Sequence, residues 1–274
     1  MTTTTTPAPT PAPTGDKVSA YQDAGGVHTY YEVQGDGPPV VLLHGGLCTA
    51  ETWGAEVPAL AERYTVYVPE RRGHGRTPDV DGPITYEVMT ADTIAFMDAL
   101  GVARAHLVGW SDGAIVGLLV ALERPDLVAK LVMIGQNLDL DGYAPHFREM
   151  LDSGTLLAEP PPMLRDMYAA VSPDGPEHFD VVFGKLADLY KVAPDLDLDV
   201  LAEVAAPTLV LCGDDDIISV EHAADVVRRI PDAQLGVVPG TSHALPLEKP
   251  GVVNQLVLDF LADEQAPKFM GTDG

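Results

Sequence analysis

The sequence predicts an α/β fold: a mostly parallel central sheet covered by helices on both faces, with a helical lid inserted late in the chain. Two observations support this fold class. Short apolar runs suited to buried strands alternate with helical segments from residue 40 to about 136, and again from 207 onward. One run, 104–110, passes through a Gly-x-Ser-x-Gly turn directly into an apolar helix that stops before Pro125. Both features indicate one sheet with its strands side by side.

The composition limits the partners of this chain. Its 274 residues include 16 Lys and Arg against 41 Asp and Glu, a formal net charge of -25. Such a surface repels phosphates and anionic headgroups, so we expect neither nucleic acid nor membrane as a partner. Two cysteines, Cys48 and Cys212, each beside an apolar strand, favour a reduced, cytoplasmic setting. No metal or cofactor is expected, and the oligomeric state is left open.

The chain divides into a core, an insertion and two tails. Residues 1–16, rich in Thr and Pro, and residues 265–274 are predicted to be disordered. Residues 17–136 and 202–264 carry the core. Between them, 137–201 place Met and aromatic side chains at helical intervals broken by prolines, which favours a helical lid over the ends of the strands. An ordinary helical insertion at the surface is the alternative.

Several segments in the first half of the chain are predicted to contribute to a functional site. The alternating residues 27–33 predict a strand at a sheet edge, and the apolar residues 40–43 predict a buried strand. The second run ends in His44-Gly45-Gly46, where a glycine pair lets a backbone N–H face a ligand, as an oxyanion hole requires. His44 is expected to brace this loop. The charged residues 70–77 are expected to hydrogen bond among themselves and pin a long surface loop.

The turn around Ser111 has the features of a nucleophile elbow. An elbow holds its serine in a strained conformation, and small residues two before and two after it let strand and helix pass closely. Gly109 and Gly113 meet this requirement. The alternative is a glycine-rich turn with an incidental serine.

A serine hydroxyl needs a base within hydrogen-bond reach, and an acid that fixes the tautomer of that base. His243 and Asp216 are the candidates. Each follows a predicted strand of the same parallel sheet, so both should emerge at the same end as Ser111. Asp214 and Asp215 compete with Asp216 for the place of the acid.

The sequence resembles the α/β-hydrolase fold family from about residue 27 to 262. The motifs that carry the resemblance appear in order: His44-Gly45-Gly46, Gly109-Trp110-Ser111-Asp112-Gly113, Gly213 followed three residues later by Asp216, and Gly240-Thr241-Ser242-His243. The resemblance implies Ser111 as nucleophile, His243 as general base and then general acid, and Asp216 as orienting acid. It also implies an oxyanion hole made by the backbone N–H groups of Gly46 and Asp112.

Within the family, residues 110–113 look most like the elbow of the valacyclovir hydrolase (biphenyl hydrolase-like) branch of serine esterases. Epoxide hydrolases and haloalkane dehalogenases place Asp where this chain has Ser111. Carbon–carbon bond hydrolases usually carry Asn before the serine and Trp after the catalytic histidine, and here these positions hold Trp110 and Ala244. Cofactor-free perhydrolases commonly have Pro at the position of Leu47.

These features predict a serine hydrolase that cleaves small carboxylic esters or lactones through a covalent acyl-enzyme. We expect the substrate pocket to include Trp110, Leu47, Phe147, Met167 and Phe183. One alternative is a hydrolase-fold small-molecule receptor with little turnover, and another is a cofactor-free perhydrolase.

Asp112 raises a separate question, because a negative charge beside an oxyanion hole opposes the charge that develops there. One hypothesis is that its carboxylate is salt-bridged or caps the following helix, where negative charge is favourable. The other, which the resemblance to hydrolases of amino-acid esters implies, is that Asp112 receives an ammonium group of the substrate.

Overall fold

The computed structural model describes residues 15–158, 160–192 and 194–262. The predicted tails therefore lie outside the described residues, apart from Gly15 and Asp16. In the described part of the chain, eight strands form one sheet: β1 Val18–Ala24, β2 Val27–Gln34, β3 Pro39–Leu43, β4 Thr65–Pro69, β5 Ala105–Trp110, β6 Val128–Ile134, β7 Thr208–Gly213 and β8 Ala233–Val238.

The sheet has the order β1-β2-β4-β3-β5-β6-β7-β8. The pairings β1–β2 and β2–β4 are antiparallel, and the five that follow across the sheet are parallel. The prediction of a mostly parallel sheet is confirmed. Because the parallel strands all end at the same edge, the loops after β3, β5, β6, β7 and β8 meet there.

Helices cover both faces of this sheet, as predicted. The elements that pack on it are α1 Glu56–Ala61, α2 Tyr86–Leu100, α3 Asp112–Glu123, α8 Val220–Arg229, α9 Leu245–Glu248 and α10 Pro250–Leu261. One apolar core joins the sheet to α2, α3 and α8. A second core joins its other face to α1, α9 and α10.

The ends of α2 follow from its sequence. The Thr85 hydroxyl accepts a hydrogen bond from the Val88 N–H, and so caps the first turn. Gly101 ends the helix in the left-handed conformation, with φ 69°, where a side chain would be strained.

Two expectations about the first half of the chain were wrong. Residues 27–33 do not form an edge strand, because β1 pairs along the full length of β2 through a turn at Gly25 and Gly26. The charged residues 70–77 do hydrogen bond among themselves, as expected, but they do not form a surface loop, since Glu70 and Thr77 are fully buried. The Glu70 carboxylate accepts from the Ala50 N–H and from Arg76, and this internal pairing permits its burial.

Residues 137–201, the helical insertion, lie between β6 and β7. Their α-helices are α4 Pro145–Asp152, α5 Thr155–Ala158, α6 Pro162–Val171 and α7 Phe179–Tyr190. On α7, Phe179, Val182 and Leu186 are fully buried and join the core that contains α2 and α3. The insertion is thus packed onto the domain.

No helix in the described ranges is both long and apolar enough to span a membrane.

Candidate active site

Ser111 stands at the turn between β5 and α3, with φ 55° and ψ -121°. Residues with a side chain rarely adopt a positive φ, so the backbone is strained where the sequence predicted strain. A Cβ at Gly109 would collide with the Gly113 carbonyl, and one at Gly113 would collide with the Leu43 carbonyl. Only glycine permits this approach of strand and helix.

The structure brings the three predicted residues into one hydrogen-bonded row. The His243 Nε2 lies 3.0 Å from the Ser111 Oγ, and the His243 Nδ1 lies 2.8 Å from the Asp216 Oδ1. The Asp216 carboxylate is buried and accepts from the backbone N–H groups of Gly213 and Ile218, both at 3.2 Å. These contacts fix the carboxylate, which in turn orients the imidazole.

The two rival carboxylates do not reach the imidazole. Asp214 instead accepts from the N–H groups of Gly240 and Thr241, at 2.6 and 3.2 Å, and so supports the loop that carries His243. Asp215 is exposed. The geometry therefore matches the choice of Asp216 as the acid.

Trp110 and Gly135 help to position His243. The Trp110 Nε1 donates to the His243 carbonyl oxygen at 2.8 Å. Gly135, with φ 59°, leaves room for the imidazole, because a Cβ there would lie 2.9 Å from the His243 Nδ1. Trp110 was expected in the substrate pocket and is not among the residues that line it. Its side chain is turned into the core between the sheet and α10.

The oxyanion-hole candidates, Gly46 and Asp112, line the same cavity as Ser111. In the described residues, neither the Gly46 N–H nor the Asp112 N–H donates to a protein acceptor. A Cβ at Gly46 would collide with the Tyr190 hydroxyl and lie 2.6 Å from the Asp112 Oδ2. Leu47 follows with φ 57°, so the backbone of this loop is strained as it is at Ser111. Two free N–H groups next to a nucleophile suit an oxyanion hole.

His44 braces this loop, as the sequence suggested. It is fully buried, and its Nε2 accepts from the backbone N–H of Arg71 at 3.1 Å. Burial, and then the neighbouring positive charge of Arg71, hold the pKa of His44 well below its usual value. His44 is thus a neutral side chain that supports the loop, and it does not serve as the catalytic base.

The Asp112 carboxylate has partners that the sequence did not suggest. The Tyr86 hydroxyl donates to its Oδ1 at 2.8 Å, and the Tyr190 hydroxyl donates to its Oδ2 at 2.7 Å. Burial, followed by the charge of Asp112, raises the pKa of both tyrosines well above the usual value, so both hydroxyls stay protonated and donate. Asp112 therefore joins α2, α3 and α7, and it forms no salt bridge within the described chain.

A cavity of about 440 Å³ opens above Ser111 and His243. Its walls come from the loop after β3 and from the helical insertion, and most of them are apolar. Leu47, Phe147 and Phe183 line it as expected, and the other lining residues are Gly46, Asp112, Asn137, Tyr143, Leu151, Pro161, Leu164, Tyr190 and Ile217. Met167 does not line the cavity. It lies almost one turn beyond Leu164 on α6, about 4.5 Å further along the helix axis.

Asn137 is a lining residue that sequence reasoning missed. It is 7% exposed, and its side-chain Nδ2 has no hydrogen-bond partner in the described chain. Its place three residues after β6, next to the strand that carries Ser111, was the available signal. An unpaired buried N–H donor in an apolar cavity suits an acceptor on a bound molecule.

Within the described part of the chain, no group of three or more His, Cys, Asp and Glu side chains is placed to hold a metal ion.

Two relatives match almost the whole chain. It is 30% identical over 264 residues to the 2-hydroxy-6-oxo-6-phenylhexa-2,4-dienoate hydrolase of Burkholderia cepacia, with 84% of this chain and 89% of that protein covered. It is 29% identical over 261 residues to the pyrrolizixenacetamide deacetylase of Xenorhabdus hominickii, with 89% and 98% covered.

Solved structures show the same fold. A serine hydrolase involved in carbazole degradation, the CarC enzyme, superposes with a TM-score of 0.76 at 26% identity, covering 90% of this chain and 99% of that one. Est816, described as an N-acyl homoserine lactone degrading enzyme, gives 0.72 at 26% identity, with 88% and 100% covered. A model of the alpha/beta hydrolase family matches residues 40–256, and this chain belongs to that family.

Proposed function

We propose that this chain is a serine hydrolase that cleaves small carboxylic esters or lactones through a covalent acyl-enzyme. The observation that carries the proposal is the row Ser111–His243–Asp216, with distances of 3.0 and 2.8 Å, under a largely apolar cavity. The two free cysteines further support a cytoplasmic location, which cell fractionation would test.

The geometry supports a mechanism in two halves. The His243 Nε2 accepts the Ser111 proton as the Oγ attacks the substrate carbonyl carbon. The oxygen of the tetrahedral intermediate takes hydrogen bonds from the N–H groups of Gly46 and Asp112. His243 then gives its proton to the leaving alkoxide, and an acyl-enzyme remains. Water, activated by the same imidazole, hydrolyses this ester, while Asp216 keeps the Nδ1 protonated throughout.

The helical insertion acts in this proposal as a lid that shapes the pocket. Phe147 on α4, Leu164 on α6 and Phe183 on α7 face the same cavity. Such walls select ester groups by size and apolar surface. The buried Asn137 Nδ2, which lies near the Tyr143 hydroxyl, supplies one polar contact, which suits a lactone or an acyl group with a second acceptor oxygen.

Replacing Ser111 with Ala tests the mechanism. We expect kcat on p-nitrophenyl butyrate to fall at least about 10³-fold, because the covalent step is lost while the oxyanion hole remains. The melting curve should stay the same, since a single hydroxyl at a turn is removed. A fluorophosphonate probe should label the wild type and leave Ser111→Ala unlabelled.

Ser153→Ala is a matched control, because Ser153 is exposed on the helical insertion and its hydroxyl contacts Met150 and Thr155. It should keep wild-type turnover and labelling. Near-normal hydrolysis by a folded Ser111→Ala protein would rule out the proposal. Strong labelling with turnover far below about 1 s⁻¹ on acetate and butyrate esters would instead favour a small-molecule receptor.

A further inference from the structure

The carbonyl side of the oxyanion-hole peptide accepts a set of hydrogen bonds that have no part in the proposed mechanism. The carbonyl of Gly45 belongs to the same peptide group as the N–H of Gly46. This carbonyl accepts from the His44 Nδ1 at 2.7 Å, the Arg71 Nη2 at 3.0 Å and the Cys48 N–H at 3.3 Å. Three donors on one side of a peptide hold its N–H on the other side in place.

Arg71 contributes to this arrangement in two ways: through its positive charge, and through the tautomer that it imposes on His44. Its guanidinium donates to the carbonyl directly. Its backbone N–H donates to the His44 Nε2 at 3.1 Å, so the proton of the neutral imidazole is on Nδ1, which can then donate to Gly45. Hydrogen bonds in such a chain polarise one another and strengthen the final donor.

Arg71 differs from the other arginines of its loop. Arg72 makes a two-bonded ion pair with Asp92, at 2.6 and 2.7 Å, and Arg76 pairs with Glu70 at 2.8 Å. Arg71 is 4% exposed, and in the described residues no carboxylate lies within ion-pair distance of it. A buried charge of this kind destabilises a fold unless it interacts with other charge or dipoles.

The Asp112 carboxylate is the charged group that most favours the charged form of Arg71. Burial lowers the pKa of Arg71, and the Asp112 carboxylate is the largest influence that raises it again. The same carboxylate lies close to Gly46, since its Oδ2 is 2.6 Å from where a Gly46 Cβ would lie. The oxyanion-hole peptide therefore accepts a hydrogen bond from a buried cation and lies close to a buried anion.

We propose that Arg71 is a positioning residue for the oxyanion hole: its guanidinium holds and polarises the Gly45–Gly46 peptide and offsets the negative charge of Asp112. The inference rests on the proposed serine hydrolase function. It accounts for a carboxylate beside the site where negative charge develops, because the opposing cation lies behind the same peptide.

Arg71→Met tests this role, since Met keeps an unbranched apolar stem and removes the charge and the donors. Loss of a whole oxyanion donor lowers kcat by 10²–10³, so weakening one should lower kcat on p-nitrophenyl butyrate by about 10- to 100-fold. KM should change less than about twofold. The inhibition constant of butaneboronic acid, which forms a tetrahedral anion on the serine, should rise by about the same factor as kcat falls.

Arg71→Lys and Arg72→Met are the companion variants. Arg71→Lys keeps the charge and should restore about half or more of the lost log(kcat). Arg72→Met breaks a buried ion pair with Asp92 and should lower the melting temperature at least as much as Arg71→Met does, while kcat stays within about threefold of wild type. If Arg71→Met does not fold, Arg71→Gln is measured in the same way.

Adding Asp112→Asn to Arg71→Met tests the charge balance. The double variant should have a kcat at least about fivefold above that of Arg71→Met, because the unopposed anion is gone. Wild-type kcat and boronate inhibition in folded Arg71→Met, or equal losses in Arg72→Met, would overturn the proposal. Active Ser111→Ala would instead overturn the hydrolase function itself, so the two failures are distinguishable.

Discussion

Ser111 and Asp112 are neighbours in the chain with opposite electrostatic requirements. The reaction places negative charge next to Ser111, and Asp112 brings a negative charge of its own to the same turn. The hydroxyls of the buried Tyr86 and of the cavity residue Tyr190 donate to this carboxylate, at 2.8 and 2.7 Å. Charge-assisted hydrogen bonds of this length are strong, and they reduce the field that the carboxylate exerts on the oxyanion hole.

The acid of the triad is tested by amidation of three neighbouring carboxylates. Asp216→Asn should lower kcat by about 10³- to 10⁴-fold, because an amide favours the wrong tautomer of His243. Asp214→Asn loosens the loop at Gly240 and should have a smaller effect, and the exposed Asp215→Asn serves as control. Ester hydrolysis assays at saturating substrate give the three values. A larger loss in Asp214→Asn than in Asp216→Asn would contradict the assignment.

The ammonium hypothesis for Asp112 has its own test. Since Tyr86 and Tyr190 already donate to both carboxylate oxygens, we expect little preference for a substrate cation. The kcat/KM of alanine p-nitrophenyl ester and of its N-acetyl form should agree within about fivefold, the range of a weak ion pair. A strong preference for the amino form that disappears in Asp112→Asn would show that the ammonium hypothesis is right.

At the residue scale, the sequence predicted the site residues that local sequence patterns mark. Ser111 stands between turn glycines, and His243 follows a strand and a glycine. The tyrosines on Asp112 could not be predicted in this way, because their contacts join positions 26 and 78 residues apart. The burial of Arg71 could not be predicted for a similar reason. Its charge suggested a surface, and only the tertiary packing shows that it is buried.

At the scale of elements, the cavity depends on how α4, α6 and α7 are presented to the sheet. Asp79, which follows β4, fixes α7 from outside the pocket. Its carboxylate is 2.8 Å from the His178 Nε2 and 2.7 Å from the Lys185 Nζ. The prolines and helical spacing predicted helices in the insertion. They did not predict how far along α6 the cavity extends, and Met167, almost one turn beyond Leu164, was consequently assigned to the pocket in error.

Phe147→Ala and Phe183→Ala should shift the ester chain length that the protein prefers. Each variant enlarges the cavity, and a change of one methylene in an apolar pocket is worth about 1–3 kcal/mol of discrimination. We therefore expect the kcat/KM ratio of octanoate to butyrate p-nitrophenyl esters to rise by about tenfold or more. Met167→Ala removes a side chain of the same insertion outside the cavity, and should leave the ratio unchanged. Equal ratios in all three variants would contradict a lid that selects substrate.

At the scale of the whole molecule, the order of elements was the most predictable feature. Buried parallel strands are continuous apolar runs, and these runs alternate with helices along the chain, so the sheet and its two helical layers could be inferred. The strand β1 was missed because only alternate residues of it are half-buried, which leaves a weak apolar signal. The acidic surface, with its net charge of -25, follows from composition and carries no information about the fold.

The stability of the whole domain should depend on one buried carboxyl group, Glu56 at the start of α1. It is 3% exposed, neither oxygen has a hydrogen-bond partner in the described chain, and burial raises its pKa from 4.5 to about 7. Between these two values the folded protein holds a proton that the unfolded chain has released. Stability therefore falls as the pH rises from about 5 to about 7, and this contribution is constant above that range.

Glu56→Gln removes this pH dependence, because an amide of the same shape does not titrate. Relative to wild type, the variant should gain on the order of 2 kcal/mol of unfolding free energy between pH 5 and pH 8. Urea unfolding of both proteins at each pH gives this difference, and contributions from other titrating groups cancel in it. Glu62→Gln, at an exposed position at the end of the same helix, is the matched control for loss of one carboxylate. A Glu56→Gln protein whose stability stays parallel to wild type across this range would show that Glu56 is already ionised in the fold at pH 5.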